Sequence, residues 1–206
     1  MKNDPPSRLV ATLQEKGSFS PRTLAAIKRV PRDIFCHPSD ISKAWHDSVL
    51  PLAEGSTLSQ PFVVATMLEA LNLKGGERIL DVGSGSGWTT ALLCELGGIV
   101  HAIERLPKLY EESTQRLRDL GYSNAHCHLG NGVHGLPDHA PFDAILVSAA
   151  FPYTPPDLLD QLALDGRLVA PIGGGKSQTL RVLTAKPERI QAEQDLMTVR
   201  FVPLIP

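Results

Sequence analysis

Three hydroxyl side chains fall within four positions at Ser56, Thr57 and Ser59, in the stretch STLSQPFV, directly before an apolar run. Such a group can start a helix or position an anion. As a helix start, Ser59 is a favourable N-cap and Pro61 suits the first turn, while Val64, Met67, Leu68 and Leu71 follow at helical spacing. A helix N-terminus also offers unpaired amides and a positive dipole end to a carboxylate, so both uses fit one geometry.

The second chemical feature is LDVGSGSGW, which places Asp81, Gly83, Ser84, Gly85 and Gly87 between a strand-like run and a helix-like run. That is where an open α/β sheet binds its ligand. A dinucleotide fingerprint would need its third glycine at Trp88, and a phosphate-gripping loop would need a Gly-Lys-Ser/Thr ending; neither is present. Spacing of the G-x-G-x-G type lets backbone approach an uncharged part of a ligand closely, and S-adenosyl-L-methionine is such a ligand. Asp81 is expected to reach the loop amides or the methionine amino group, or simply to satisfy backbone donors at the strand end.

Glu104 ends the next strand-like run, GIVHAIE, seventeen residues after Gly87. A carboxylate there can accept from both ribose hydroxyls of a nucleoside. The following turn, LGNGVHG, offers Asn131 as donor and acceptor to an adenine edge, with Gly132 beside it. His126, Cys127, His128, His134 and His139 raise a metal alternative, but no carboxylate or second cysteine stands at ligand spacing, so no metal site is expected. Asp143 is expected to order the entry to a buried strand. Trp45 and Asp47 are candidates for the substrate side, and Gly173 to Gly175 read as a turn.

These residues need elements to hold them. From Glu77 onward, β-rich runs (RILDVG, GIVHAIE, AHCHLG, FDAILVSAA, GRLVAPIG) alternate with helical ones (WTTALLCELG, Pro107 to Leu120, Pro156 to Ala163). Alternation of this kind predicts a doubly wound, mostly parallel α/β sheet with helices on both faces, a Rossmann-like fold. TLRVLTA and DLMTVRFVPL have no helix between them and predict an antiparallel C-terminal edge. Ser7 to Val30 reads as a helical cap, with a second helix opening at Ser20 and Pro21. Asp33 to Leu58 reads as about 25 residues of mostly irregular chain, a length that is uncommon unless it is functional.

A chain of 206 residues suits one domain at about 150 residues each. Residues 1–60 are expected to form the cap and substrate-side segment, and 61–206 the cofactor-binding core with its C-terminal strands. Twenty Lys plus Arg against twenty-two Asp plus Glu, without a basic block, argue against nucleic acid or anionic lipid as partner. No apolar run approaches the roughly 18 residues of a membrane span, and MKNDPPSR lacks a signal core, so a cytoplasmic protein is expected. Cys36, Cys94 and Cys127 read as small buried hydrophobes in a reducing compartment. The oligomeric state is open, with a monomer as the default.

VPRDIF, the D-x-x-L-P-L of Asp47 to Leu52, TLSQP, LDVGSGSGW, AIER, GNGVHG, APFDAILVSAA, GRLVAPIG and RFVPL together resemble the protein-L-isoaspartate (D-aspartate) O-methyltransferases. The resemblance runs from about Arg8 to Leu204, with TLSQP and RFVPL its most specific parts. It implies methyl transfer from S-adenosyl-L-methionine to the free α-carboxylate of L-isoaspartyl residues in damaged proteins and peptides. The resulting ester cyclises to a succinimide, whose hydrolysis returns some normal aspartate. It also implies Ser59 as the active-site residue, with Thr57 and Leu58 beside it on the substrate. This chain has Gly-Asn-Gly where the family most often has Gly-Asp-Gly, and Ser56 where Gln is usual. A non-catalytic cofactor-binding module and a methyltransferase for another carboxylate are the alternatives.

Overall fold

The computed structural model describes residues 4–186 and 189–205. Two helices open the chain, α1 (Pro5–Lys16) and α2 (Pro21–Arg29), and each starts at a polar cap followed by proline. Asp4 accepts from the Ser7 amide, and Ser20 accepts from the Thr23 amide. A strained φ is avoided at both starts, because proline already holds the first-turn value. Leu9, Leu13, Leu24 and Ile27 then bury against the body of the molecule.

The irregular segment is largely as expected. It contains short 3-10 turns and a hairpin of two-residue strands, β1 (Leu50–Pro51) and β2 (Thr57–Leu58), paired antiparallel. Helix α3 (Pro61–Leu71) follows, then β3 (Arg78–Val82), α4 (Trp88–Glu95), β4 (Ile99–Glu104), α5 (Pro107–Asp119) and β5 (Ala125–Leu129). The chain continues through β6 (Phe142–Val147), α6 (Pro156–Leu159), β7 (Leu162–Ile172), β8 (Gln178–Lys186) and β9 (Arg189–Val199).

Seven strands form one sheet in the order β5-β4-β3-β6-β7-β8-β9. β3 to β7 run parallel, and β8 and β9 complete an antiparallel edge. The strand order reverses around β3, which makes the carboxyl ends of β3, β4 and β6 the natural ligand site. Asp143 does order the strand entry, accepting from the Arg78 amide at 2.8 Å and so fastening the start of β6 to the start of β3.

Three expectations change. The helix at Pro156 is one turn, and β7 begins at Leu162, ahead of Gly166. The Phe142 amide donates to the Gln161 carbonyl, so pairing with β6 starts early and a bulge absorbs the extra residues before Arg167. The last strand ends at Val199, and the VPL portion of RFVPL instead runs beside the end of β6, through the Ala150 amide to Val202 and the Leu204 amide to Ala150. The sheet faces are also unequally covered. Ile79, Val100, Ala144 and Val169 pack in one cluster with residues of α1 to α5, whereas Leu80, Val82, Ile103 and Ile145 meet the one-turn α6 and neighbouring turns.

Candidate active site

A cavity of about 240 Å³ opens at the strand ends. Its wall includes Gly83 and Gly85 after β3, Ile103 to Leu106 at the end of β4, Gly132 after β5, and Ser148 and Ala149 after β6. Glu54 to Thr57 of the hairpin and Val202 to Ile205 complete it. A larger cavity of about 600 Å³ lies between α5 and the 33–53 segment, and it touches the glycine loop only at Ser86.

Glu104 is buried on the smaller cavity's wall. One carboxylate oxygen accepts from the Gly85 amide at 2.8 Å, and the other from the Arg105 and Leu106 amides at 2.8 and 3.0 Å. A carboxylate offers roughly four acceptor positions, so one remains for a ligand hydroxyl. The same bonds pull the glycine loop over the end of β4.

The glycines divide by purpose. A Cβ at Gly83 or Gly85 would meet nothing closer than 3.9 or 3.7 Å, so the space beside them is open to a ligand. Gly87 has a φ of 90° and a Cβ there would come within 3.1 Å of Ser113; its glycine serves the packing of α4 on α5, and it is not on the cavity wall. Gly132 does line the cavity, because a Cβ would sit 2.6 Å from Val82 Cγ1 and hold the turn away. Ser84 lies off the wall, its amide on the Ile103 carbonyl.

Asp81 and Asn131 are also off the wall. Asp81 faces α4, fully buried, and accepts from the Thr90 hydroxyl at 2.7 Å; its side-chain bond is to this helix and not to a loop amide. Its Oδ1 has no hydrogen-bond partner among the described residues. Burial pushes this carboxyl up to about 7, opposed by the Thr90 bond and reinforced by the Glu104 charge. Asn131 Oδ1 accepts from the Val133 amide at 3.0 Å, so its carbonyl oxygen is spent on shaping the turn that carries Gly132.

The hydroxyl hairpin departs from the sequence reading in two ways. The N-cap of α3 is Gln60, not Ser59, and no side chain at that position caps the helix. Asp47 does so from a distance, accepting from the Phe62 amide at 2.8 Å and from Gln60 Nε2 at 3.0 Å, with Lys16 Nζ at 2.6 Å. One amide that a substrate carboxylate could use, that of Phe62, is therefore taken. Leu58 is buried in the core and turns its side chain away from the cavity, while Thr57 is exposed on the wall. Ser59 directly follows β2, between the hairpin and α3. Its hydroxyl is half-buried, lies outside the wall residues and has no partner among the described residues.

Arg32 is a residue that motif reading passed over. Completely buried, its guanidinium donates to the carbonyls of Ala44, Ser48 and Ser59, the last two at 3.0 Å, and stacks 4.9 Å from the Trp88 ring. Burial pulls it down to about 10, still protonated at neutral pH. It gathers the irregular segment onto the first residue of α4. The only local signal was an arginine inside the apolar VPRDIF. Ser148 and Ala149 could have been found from the strand-end rule applied to β6.

The comparisons agree with this geometry. The family model for protein-L-isoaspartate(D-aspartate) O-methyltransferase matches residues 4–206. A protein-L-isoaspartate O-methyltransferase of Anaeromyxobacter dehalogenans (strain 2CP-C) is 48% identical over 198 residues, covering 95% of each chain. One from Roseiflexus sp. (strain RS-1) is 45% identical over 197 residues, 96% of this chain and 90% of that one. A solved Plasmodium falciparum structure, named for the same enzyme and in complex with S-adenosyl-L-homocysteine, superposes with a TM-score of 0.86 at 27% identity, covering 98% of this chain and 99% of that one. With the strand-end cavity and the family match in agreement over nearly the whole sequence, the chain belongs to the protein-L-isoaspartate(D-aspartate) O-methyltransferase family.

Proposed function

We infer that the protein transfers the methyl group of S-adenosyl-L-methionine to the free α-carboxylate of L-isoaspartyl residues, the step that starts repair of damaged proteins and peptides. The observation that carries this is one cavity whose wall joins the glycine loop and Glu104 to the hydroxyl hairpin at Thr57. When bound, the cofactor supplies an activated methyl on a sulfonium sulfur. Gly83 and Gly85 leave room for it, Glu104 has an acceptor position suited to a ribose hydroxyl, and the turn shaped by Asn131 presents Gly132 to the base side.

An isoaspartyl carboxylate with a pKa near 4 is already ionised at neutral pH, so the protein needs no general base. The work left is orientation, which in favourable cases supplies about 7–11 kcal/mol. We assign that work to Ser59, with Thr57 beside it. A hydroxyl holds a carboxylate without the tight charge pairing that would stabilise the ground state over the transition state. Arg32, by holding the Ser59 carbonyl, sets where that hydroxyl stands.

The same reading takes the chain as a single methyltransferase domain, with residues 1–60 as cap and substrate-side segment and 61–206 as the cofactor-binding core. In support, Leu13 and Ile27 of the cap share one hydrophobic cluster with Leu68 and Leu92. It places the reaction in the cytoplasm, a compartment that suits three unpaired cysteines. No helix among the described residues is long and apolar enough to cross a membrane.

The test is incubation with radiolabelled S-adenosyl-L-methionine and paired peptides that differ only in isoaspartyl or aspartyl linkage. Base-labile label on the isoaspartyl peptide alone is the expected result. Equal labelling would mean another carboxylate is the target, and cofactor binding without labelling would mean a non-catalytic module.

A further inference from the structure

The sheet face opposite α1 to α5 carries a histidine group that methyl transfer does not use. Of the residues close in sequence, Cys127 packs on the helix side of β5, and His134 Nδ1 pairs with Asp157 at 2.6 Å. The others meet His101 from the neighbouring strand. The parallel β4–β5 register sets His101 beside His126 and Ile103 beside His128, and the short turn Pro137–His139 brings a further ring over them.

His101 Nδ1 and His128 Nε2 are 3.2 Å apart, and the His139 ring centroid lies 4.5 Å from that of His101 and 4.8 Å from that of His128. Candidate ligand nitrogens of all three stand within 4.8 Å of one another. Two imidazole nitrogens on a tetrahedral zinc at about 2.0–2.1 Å are about 3.3–3.4 Å apart. One pair already has that spacing. His139 is half-buried on a three-residue turn, with its nitrogen within 4.8 Å of the other two. A hydrogen bond accounts for one close pair of rings but not for a third nitrogen held within 4.8 Å of both.

We propose that His101, His128 and His139 bind one borderline divalent metal ion, zinc first, with water as the fourth ligand. Three imidazole donors favour zinc, cobalt, nickel or copper over magnesium or calcium, which prefer oxygen. Each ligand comes from a different element, so the ion would fasten the edge strand β5 and the turn before β6 to β4. The chain between His128 and His139 contains Gly132, a wall residue of the methyl-transfer cavity. Arg78, whose guanidinium donates to the His139 carbonyl at 3.1 Å, is a positive neighbour that weakens binding of a cation.

The test is titration of the tag-free, metal-stripped full chain with Co²⁺ and then Zn²⁺, followed by visible absorption, calorimetry and thermal melting. The expected result is one ion per chain, a tetrahedral cobalt spectrum that zinc abolishes, and a raised Tm. His128→Ala, His139→Ala and the milder His139→Gln should each weaken binding by at least about tenfold, since even outer-shell losses cost 10–100-fold. His134→Ala should leave it unchanged. Binding insensitive to all three cluster variants, a thiolate-to-cobalt charge-transfer band, or no binding below millimolar metal would overturn the proposal. Each readout is independent of methyl transfer.

Discussion

Asp81→Asn should stabilise the protein at alkaline pH while changing little at acid pH. Asp81 is fully buried with one oxygen on Thr90 and the other unpartnered among the described residues, and burial raises its carboxyl from 3.8 to about 7. The folded state therefore binds the proton more tightly than the unfolded state. The stabilising contribution of the protonated group is complete below 3.8 and is lost as pH rises through about 7. About three pH units at about 1.4 kcal/mol each give an upper size of about 4 kcal/mol. Between about pH 5 and about pH 8 only two of those units are crossed, so the parent chain should lose about 2–3 kcal/mol relative to the variant. Asparagine keeps an acceptor for Thr90 and leaves one buried polar atom unpaired, as aspartate did, so shape and hydrogen bonding largely cancel. Urea melts of both proteins across that pH range measure the difference directly. Parallel stability profiles would refute the reasoning, because they would mean that Asp81 titrates alike in the folded and unfolded chains.

Ser59→Ala should lower kcat by roughly tenfold or more, the size of a lost hydrogen bond to a charged group, and leave cofactor Kd within about twofold. A collapse of cofactor binding in calorimetry would contradict the positioning role. Glu104→Gln reverses the split: it removes the charge that holds the Gly85, Arg105 and Leu106 amides, and cofactor Kd should rise about 10–100-fold, with kcat at saturation changed less. Arg32→Met leaves the Ala44, Ser48 and Ser59 carbonyls without their donor, and chemical denaturation should report a loss of at least about 3 kcal/mol. An unchanged denaturation midpoint would show that the clamp contributes nothing.

Much of this fold was legible because it is local. Strands such as RILDVG and FDAILVSAA declare themselves by β-rich apolar runs, and Ser20-Pro21 declares a helix start. What escaped is what depends on residues far apart in sequence. Ser59 looked like a helix cap, but Asp47 reaches the Phe62 amide instead, and only the folded segment brings it there. Gly87 read as part of a ligand loop and proves to be needed by Ser113 on the next helix. RFVPL looked like strand because its composition is apolar, yet the sheet already ends at Val199 and the tail finds Ala150. Asp81 was correctly placed at the end of β3, but which way a strand residue points under a loop is decided by register, not by motif.

The path of Val202 to Ile205 across the cavity has a consequence for local opening. The tail and Glu104 stand about 100 residues apart in sequence, yet they share one wall. A ligand seated between them binds the closed wall and not the peeled one, so its binding free energy adds to the Ala150 hydrogen bonds that hold the tail. Hydrogen exchange at the Leu204 amide should therefore slow when the cofactor is bound.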